Sequence, residues 1–99
     1  MNKIEIAILK ALSKCGGKYK YTHSATVIGE VITNCVVIGD DEIYQNILNL
    51  TKQDKPPVLL KSVNISKENV RDLAYRYTEI KLSAHGKRLL QKICQDINM

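Results

Sequence analysis

Apolar positions in this chain follow a helical period up to a pair of prolines, then change to alternation for one stretch. At the start, Ile4, Ile8, Ala11, Leu12 and Cys15 fall at i, i+4, i+7, i+8 and i+11, which predicts an amphipathic helix over residues 2–14. Gly16-Gly17 suits its C-terminal cap and turn. Val27, Ile28, Val31 and Ile32 form the apolar side of a second short helix from about Ser24 to Ile32, with Thr22 or Ser24 as N-cap. Its β-branched content lets a strand compete there. Residues 34–39 read as a loop or short extended stretch. A third helix opens at Asp40 as N-cap, with Asp41 and Glu42 in the first turn, where the helix dipole favours negative charge. Ile43, Ile47 and Leu50 carry it to about Gln53, and Pro56-Pro57 cannot continue it.

Beyond the prolines, residues 58–63 read as a strand and residues 75–82 as its partner. Thr78, Ile80 and Leu82 lie on one face of the second strand, Tyr75, Tyr77 and Glu79 on the other. The polar stretch 64–74 suits a long hairpin tip, in which Ser66 and Asn69 are able to cap a helical turn. Ser83 then caps a last helix whose stripe is Leu89, Leu90, Ile93 and Ile97. The order is helix, helix, helix, strand, strand, helix. That is an α+β pattern in a single domain, 1–99.

Two stretches carry a resemblance. Residues 43–60, IYQNILNLTKQDKPPVLL, resemble the recognition helix and first wing strand of the winged helix-turn-helix superfamily, in the style of MarR- and PadR-type regulators. Residues 80–90, IKLSAHGKRLL, are similar to that family's strand-to-helix junction, Y-x-L-T-x-x-G-x-x-L-L, with Ile80 at the usual aromatic position. The resemblance implies a winged helix: a three-helix core, a two-stranded β-hairpin wing and a C-terminal helix. It also implies double-stranded DNA as partner and a role in transcription regulation. Two departures stand out. The segment between the strands is longer than a minimal wing, and the third helix begins with three acidic residues.

Charge changes this picture by where it lies. Across 99 residues the net charge is +5. Residues 1–23 carry Lys3, Lys10, Lys14, Lys18 and Lys20 against Glu5, a net +4, whereas residues 24–57 net −3 through Glu30, Asp40, Asp41, Glu42 and Asp54 against Lys52 and Lys55. Basic arms around an acidic middle suit a polyanion partner, and equally a solvated basic surface. The 44% hydrophobic content supports an ordinary core, and no apolar run reaches the length of a membrane span. The chain opens in amphipathic sequence, without an apolar block and small-residue cleavage site, so a cytoplasmic, intracellular protein is expected. Cys15, Cys35 and Cys94 are far apart and form no C-x-x-C pair, which predicts buried small hydrophobes in a reducing compartment and no metal, with one disulfide plus a free thiol as the alternative. Richness in Ile, Lys and Asn fits an AT-rich genome, such as that of a virus, plasmid or archaeon.

Candidate chemistry follows from the helical period. At 100° per residue, the side of the third helix opposite Ile43, Ile47 and Leu50 presents Gln45 and Asn49, flanked by Asn46, Lys52 and Gln53. Amide side chains donate and accept together, as base readout in the major groove requires, so Gln45, Asn49, Asn46 and Lys52 are the candidate base contacts. Any solvated helix face is also polar. Lys18, Lys20, Tyr21, Thr22 and Ser24, at the start of the second helix, are candidate phosphate contacts. In the wing the candidates are Lys61, Lys67, Arg71 and Arg76, with Lys81 also on its strands. A homodimer through the first and last helices is expected, because Ile6 and Leu9 lie off the main stripe and Cys94 lies beside Ile93 and Ile97. No nucleotide-binding, metalloprotease or hydrolase motif is present, so neither an enzyme nor a cofactor is expected. Two rival readings remain: a winged-helix module for protein–protein contact, and a single-strand binder stacking bases on Tyr19 and Tyr21. For those tyrosines, core anchoring is the simpler expectation.

Overall fold

The computed structural model describes residues 2–34, 38–61 and 78–97, with side chains up to Cys94. Helix α1 (Lys3–Lys14) is closed at both ends by local hydrogen bonds. The Asn2 side chain accepts from the Glu5 N–H at 2.7 Å, and the Glu5 carboxylate accepts from the Asn2 N–H at 3.3 Å. This reciprocal pair satisfies donors that a bare helix start leaves open. At the other end Gly16 adopts φ +90°. There Gly17 N–H donates to Leu12 O at 2.8 Å and Gly16 N–H to Ser13 O at 3.3 Å, a Schellman ending.

The predicted stripe of α1 turns inward. Ile8, Ala11 and Leu12 are buried, and so is Leu9. Leu9 therefore belongs to the core of the chain itself and adds nothing to a surplus apolar surface. Helix α2 (Ser24–Asn34) buries Val27, Ile28 and Val31 against α1. Contacts at helical spacing outweigh the extended preference of its β-branched residues, and the helix runs two residues past Ile32. Helix α3 (Asp40–Thr51) has Gly39, not Asp40, at its N-cap, with no side-chain cap bond. All three acidic residues thus lie inside the first turn, where the dipole argument still applies. The helix stops at Thr51, two residues before Gln53. Ile43, Ile47 and Leu50 enter the common core with Val58, Ile80 and Leu82.

A three-stranded antiparallel sheet closes the core, in the order β1 (Thr22–His23), β3 (Glu79–Leu82), β2 (Val58–Lys61). The two-stranded hairpin expected from the sequence gains β1 as a third member. Leu82, Lys81, Ile80 and Glu79 lie opposite Val58, Leu59, Leu60 and Lys61, while Thr22 and His23 lie opposite Ile80 and Glu79. As expected, Thr78, Ile80 and Leu82 all face inward and are buried. The predicted strand residues 62–63 and 75–77 and the tip 64–74 lie outside the described residues.

Helix α4 (Ala84–Ile97) is fastened to the base of the hairpin. Ser83 Oγ donates to Pro56 O at 2.5 Å and accepts from Gly86 N–H at 3.0 Å, and Ser83 N–H donates to Pro57 O at 3.0 Å. A Cβ on Gly86 would run into the Pro57 carbonyl, so this position admits glycine for lack of space. Leu89, Leu90 and Ile93 pack half-buried on the core. Cys94 is exposed and Cys15 half-buried, so they are not the buried hydrophobes expected, and Cys35 lies outside the described residues. No helix among the described residues is long and apolar enough to cross a membrane.

Candidate nucleic-acid interface

Burial of Ile43, Ile47 and Leu50 fixes which way α3 is turned. Gln45 and Asn49 consequently stand exposed on its far side, one turn apart, with Gln45 Nε2 donating to Asn49 Oδ1 at 3.2 Å. The pair keeps a carbonyl oxygen on Gln45 and an amino group on Asn49, one acceptor and one donor side by side. Asn46 is half-buried, and its amino group donates to the Glu42 carbonyl at 2.8 Å, so one of its donors is held by its own helix. Lys52 and Gln53 are exposed just past the last turn. Asp40, Asp41 and Glu42 are exposed at the first. The helix therefore grades from negative, through neutral amides, to positive.

A second polar surface is built by the sheet. On β3, alternation turns Glu79 and Lys81 away from the core, and the register sets Lys61 and Leu59 beside them. One residue before β1, Tyr21 falls next to Lys81. Its ring lies 5.9 Å from Lys81 Nζ and 5.9 Å from Lys61 Nζ, within cation–π range. Lys61 also pairs with Glu79 at 3.5 Å. Earlier in the connector, Lys18 Nζ sits 5.8 Å from the Tyr19 ring. Tyr19 is 79% exposed and Tyr21 38%. Neither ring anchors the core, contrary to the simpler expectation.

The remaining predicted contacts divide. Lys20 is exposed, and Lys18 and Thr22 are half-buried. Ser24, by contrast, is fully buried, and its N–H donates to Thr78 O at 2.9 Å. It joins α2 to the start of β3, and its hydroxyl does not reach solvent. Thr78 Oγ1 lies 3.1 Å from the Tyr44 hydroxyl, which ties α3 to the same point. Lys67, Arg71 and Arg76 lie outside the described residues. Lys81 is one of the basic residues expected on the wing strands, but its place beside Tyr21 is not legible in the sequence. Only the pairing of β1 with β3 brings it to Tyr21, and two residues of strand leave almost no signal in a sequence.

Elsewhere Lys14 Nζ meets a Glu30 carboxylate oxygen at 2.7 Å across α1 and α2. This hydrogen bond raises the Lys14 pKa and lowers that of Glu30. Desolvation pushes the Cys15 thiol up, and nearby Glu30 adds to the shift. A groove of about 310 Å3 lies beside this ion pair, with Ile6, Ala7, Val31, Lys3, Lys10 and Lys14 among its lining. Among the described residues no group of three or more His, Cys, Asp or Glu side chains is placed to hold a metal ion. No protein-family model and no curated protein matches the sequence.

Proposed function

We propose that this chain is a winged-helix domain that binds double-stranded DNA sequence-specifically and acts as a transcriptional regulator. The observation carrying the reading is the outward, solvent-exposed amide pair Gln45–Asn49 on a helix whose opposite face is locked into the core. A rigid helix with donors and acceptors on its free side is what major-groove readout uses. The helix order, the antiparallel sheet and the junction at Ser83–Gly86 are compatible with the winged-helix resemblance of the sequence. Because the first turn of α3 is acidic, base contact falls to its middle and C-terminal end, where Gln45, Asn49 and Lys52 lie. The lysines of the connector and sheet, Lys18, Lys20 and Lys61, supply the phosphate contacts that dominate affinity without discriminating sequence. Pairing of two copies through α1 and α4, where Ile6, Leu89, Leu90 and Ile93 stay only half-buried, would match two half-sites.

The test is a titration of the full chain with random-sequence duplex at two salt concentrations, followed by selection of bound sequences from a random pool. Binding that weakens steeply with salt and a selected consensus are expected. A second reading, a protein–protein module, is favoured by the neighbouring exposed leucines Leu59 and Leu60 on β2. Failure to bind duplex at low salt would put that reading first.

A further inference from the structure

The tyrosine–lysine surface has features that duplex binding leaves unexplained. An aromatic side chain ordinarily gains more than any other from burial, yet Tyr19 keeps 79% of its surface in solvent and Tyr21 more than a third. Duplex DNA hides its base faces in the stack, so flat exposed rings have nothing to stack on there. Single strands offer those faces. The charge arrangement points the same way. Lys61 and Lys81 are both held within 5.9 Å of one ring centre, and Lys18 flanks the other ring at 5.8 Å. An anion seated beside that ring would meet two positive charges. Among the described residues, Glu79 is paired with Lys61, at 3.5 Å. Rings for bases, with lysines beside each ring for the backbone, are the two components of sequence-tolerant single-strand binding.

We infer that the surface formed by Lys18, Tyr19, Lys20, Tyr21, Lys61 and Lys81 binds single-stranded nucleic acid. Bases stack on Tyr19 and Tyr21, and backbone phosphate is held between Lys61 and Lys81. The site is separate from the amide face of α3 and does not depend on it.

Fluorescence anisotropy of the full chain at low salt tests this, with three labelled probes of equal length: dT15, rU15 and a 15-base-pair duplex. Binding of at least one single strand is expected, and the DNA and RNA arms show which backbone is preferred. Tyr19→Ala should weaken single-strand binding roughly tenfold, the loss of one stacked base, while duplex binding changes less than twofold. Tyr19→Phe, which keeps the ring, should restore it. Lys18→Ala combined with Lys81→Ala should reduce the salt slope on single strands by about 0.7 per lost phosphate contact. Tyr19 is so exposed that its alanine variant should fold, which far-UV circular dichroism verifies. No binding to either single strand overturns the inference, whether or not duplex binds. So does a Tyr19→Ala loss equal on single strand and duplex, or a Tyr19→Phe variant as weak as Tyr19→Ala. Asn49→Ala is the converse control: it should alter duplex selectivity and leave dT15 binding unchanged.

Discussion

The outward face of α3 and the outer face of the sheet are both polar, but they are polar in different currencies. Gln45 and Asn49 offer directional hydrogen bonds and no charge. Lys18, Lys61 and Lys81 offer charge beside aromatic rings and little directionality. An uncharged amide pair beside an acidic turn cannot draw a polyanion from a distance, since its attraction falls away beyond contact. A lysine field can do so over roughly a Debye length, about 10 Å at 0.1 M salt, but it treats every sequence alike. On the proposed reading, the difference teaches that attraction and discrimination are assigned to separate elements, so that each should be removable without the other.

The most severe way to break the comparison is to remove the support both faces share. Ile47 is fully buried in the common core, so Ile47→Ala should cost about 2–5 kcal/mol of stability, read as a lower urea midpoint, with both proposed binding surfaces lost together. Gly86→Ala forces a methyl group against the Pro57 carbonyl. About 1–3 kcal/mol of destabilisation is expected from such overpacking, seen as a lower melting temperature. Separating the faces takes gentler variants. Asn49→Ala should lose about 1–3 kcal/mol of discrimination at one base pair and keep the salt dependence of duplex binding. Lys18→Ala with Lys20→Ala should do the reverse, weakening all duplex sequences alike and lowering the salt slope by about 0.9 per phosphate contact. An Asn49→Ala variant that weakened every sequence equally would collapse the distinction.

The smallest effect belongs to the Lys14–Glu30 pair, which lies outside both faces and serves as a control. The Glu30 pKa is lowered on folding, so its contribution is present above the ordinary carboxylate range and is lost as pH falls through the folded value. The Lys14 pKa is raised, so its contribution is present below the ordinary lysine range and lost as pH rises through the folded value. Melting temperatures measured across pH should therefore dip slightly at both extremes, and Glu30→Gln should flatten both arms without altering nucleic-acid binding at neutral pH.

What could be read from the sequence was whatever is specified by near neighbours. The ends of α1 are written in Asn2, Glu5 and Gly16-Gly17, and the stripe of α3 in Ile43, Ile47 and Leu50. The exposure of Gln45 and Asn49 follows from the same helical period. Features created by distant partners were not legible. Strand β1 has only Thr22 and His23, and its strand character comes from β3 some 56 residues later. Ser24 looked like a surface hydroxyl until the Thr78 carbonyl was set against its N–H. Tyr19 and Tyr21 carry aromatic rings that composition alone assigns to a core, whereas the core is already filled by aliphatic side chains from α1, α2, α3 and the sheet. The burial of Leu9 is hidden for the converse reason: a residue off the main stripe is still covered when neighbours pack on two sides of its helix.

The fastening of Ser83 and Gly86 to the two prolines has a mechanical corollary. Residues 52–57 run from the tail of α3 to β2, and their last two carbonyls are bound to the threshold of α4. Lys52 is thus leashed, through the three residues that separate it from Pro56, to whatever α4 leans on. A load applied to that final helix, from a second copy or any other source, would reach the basic tip of α3 through this short connection, and a bulkier residue at position 86 would press on the Pro57 carbonyl at its far end.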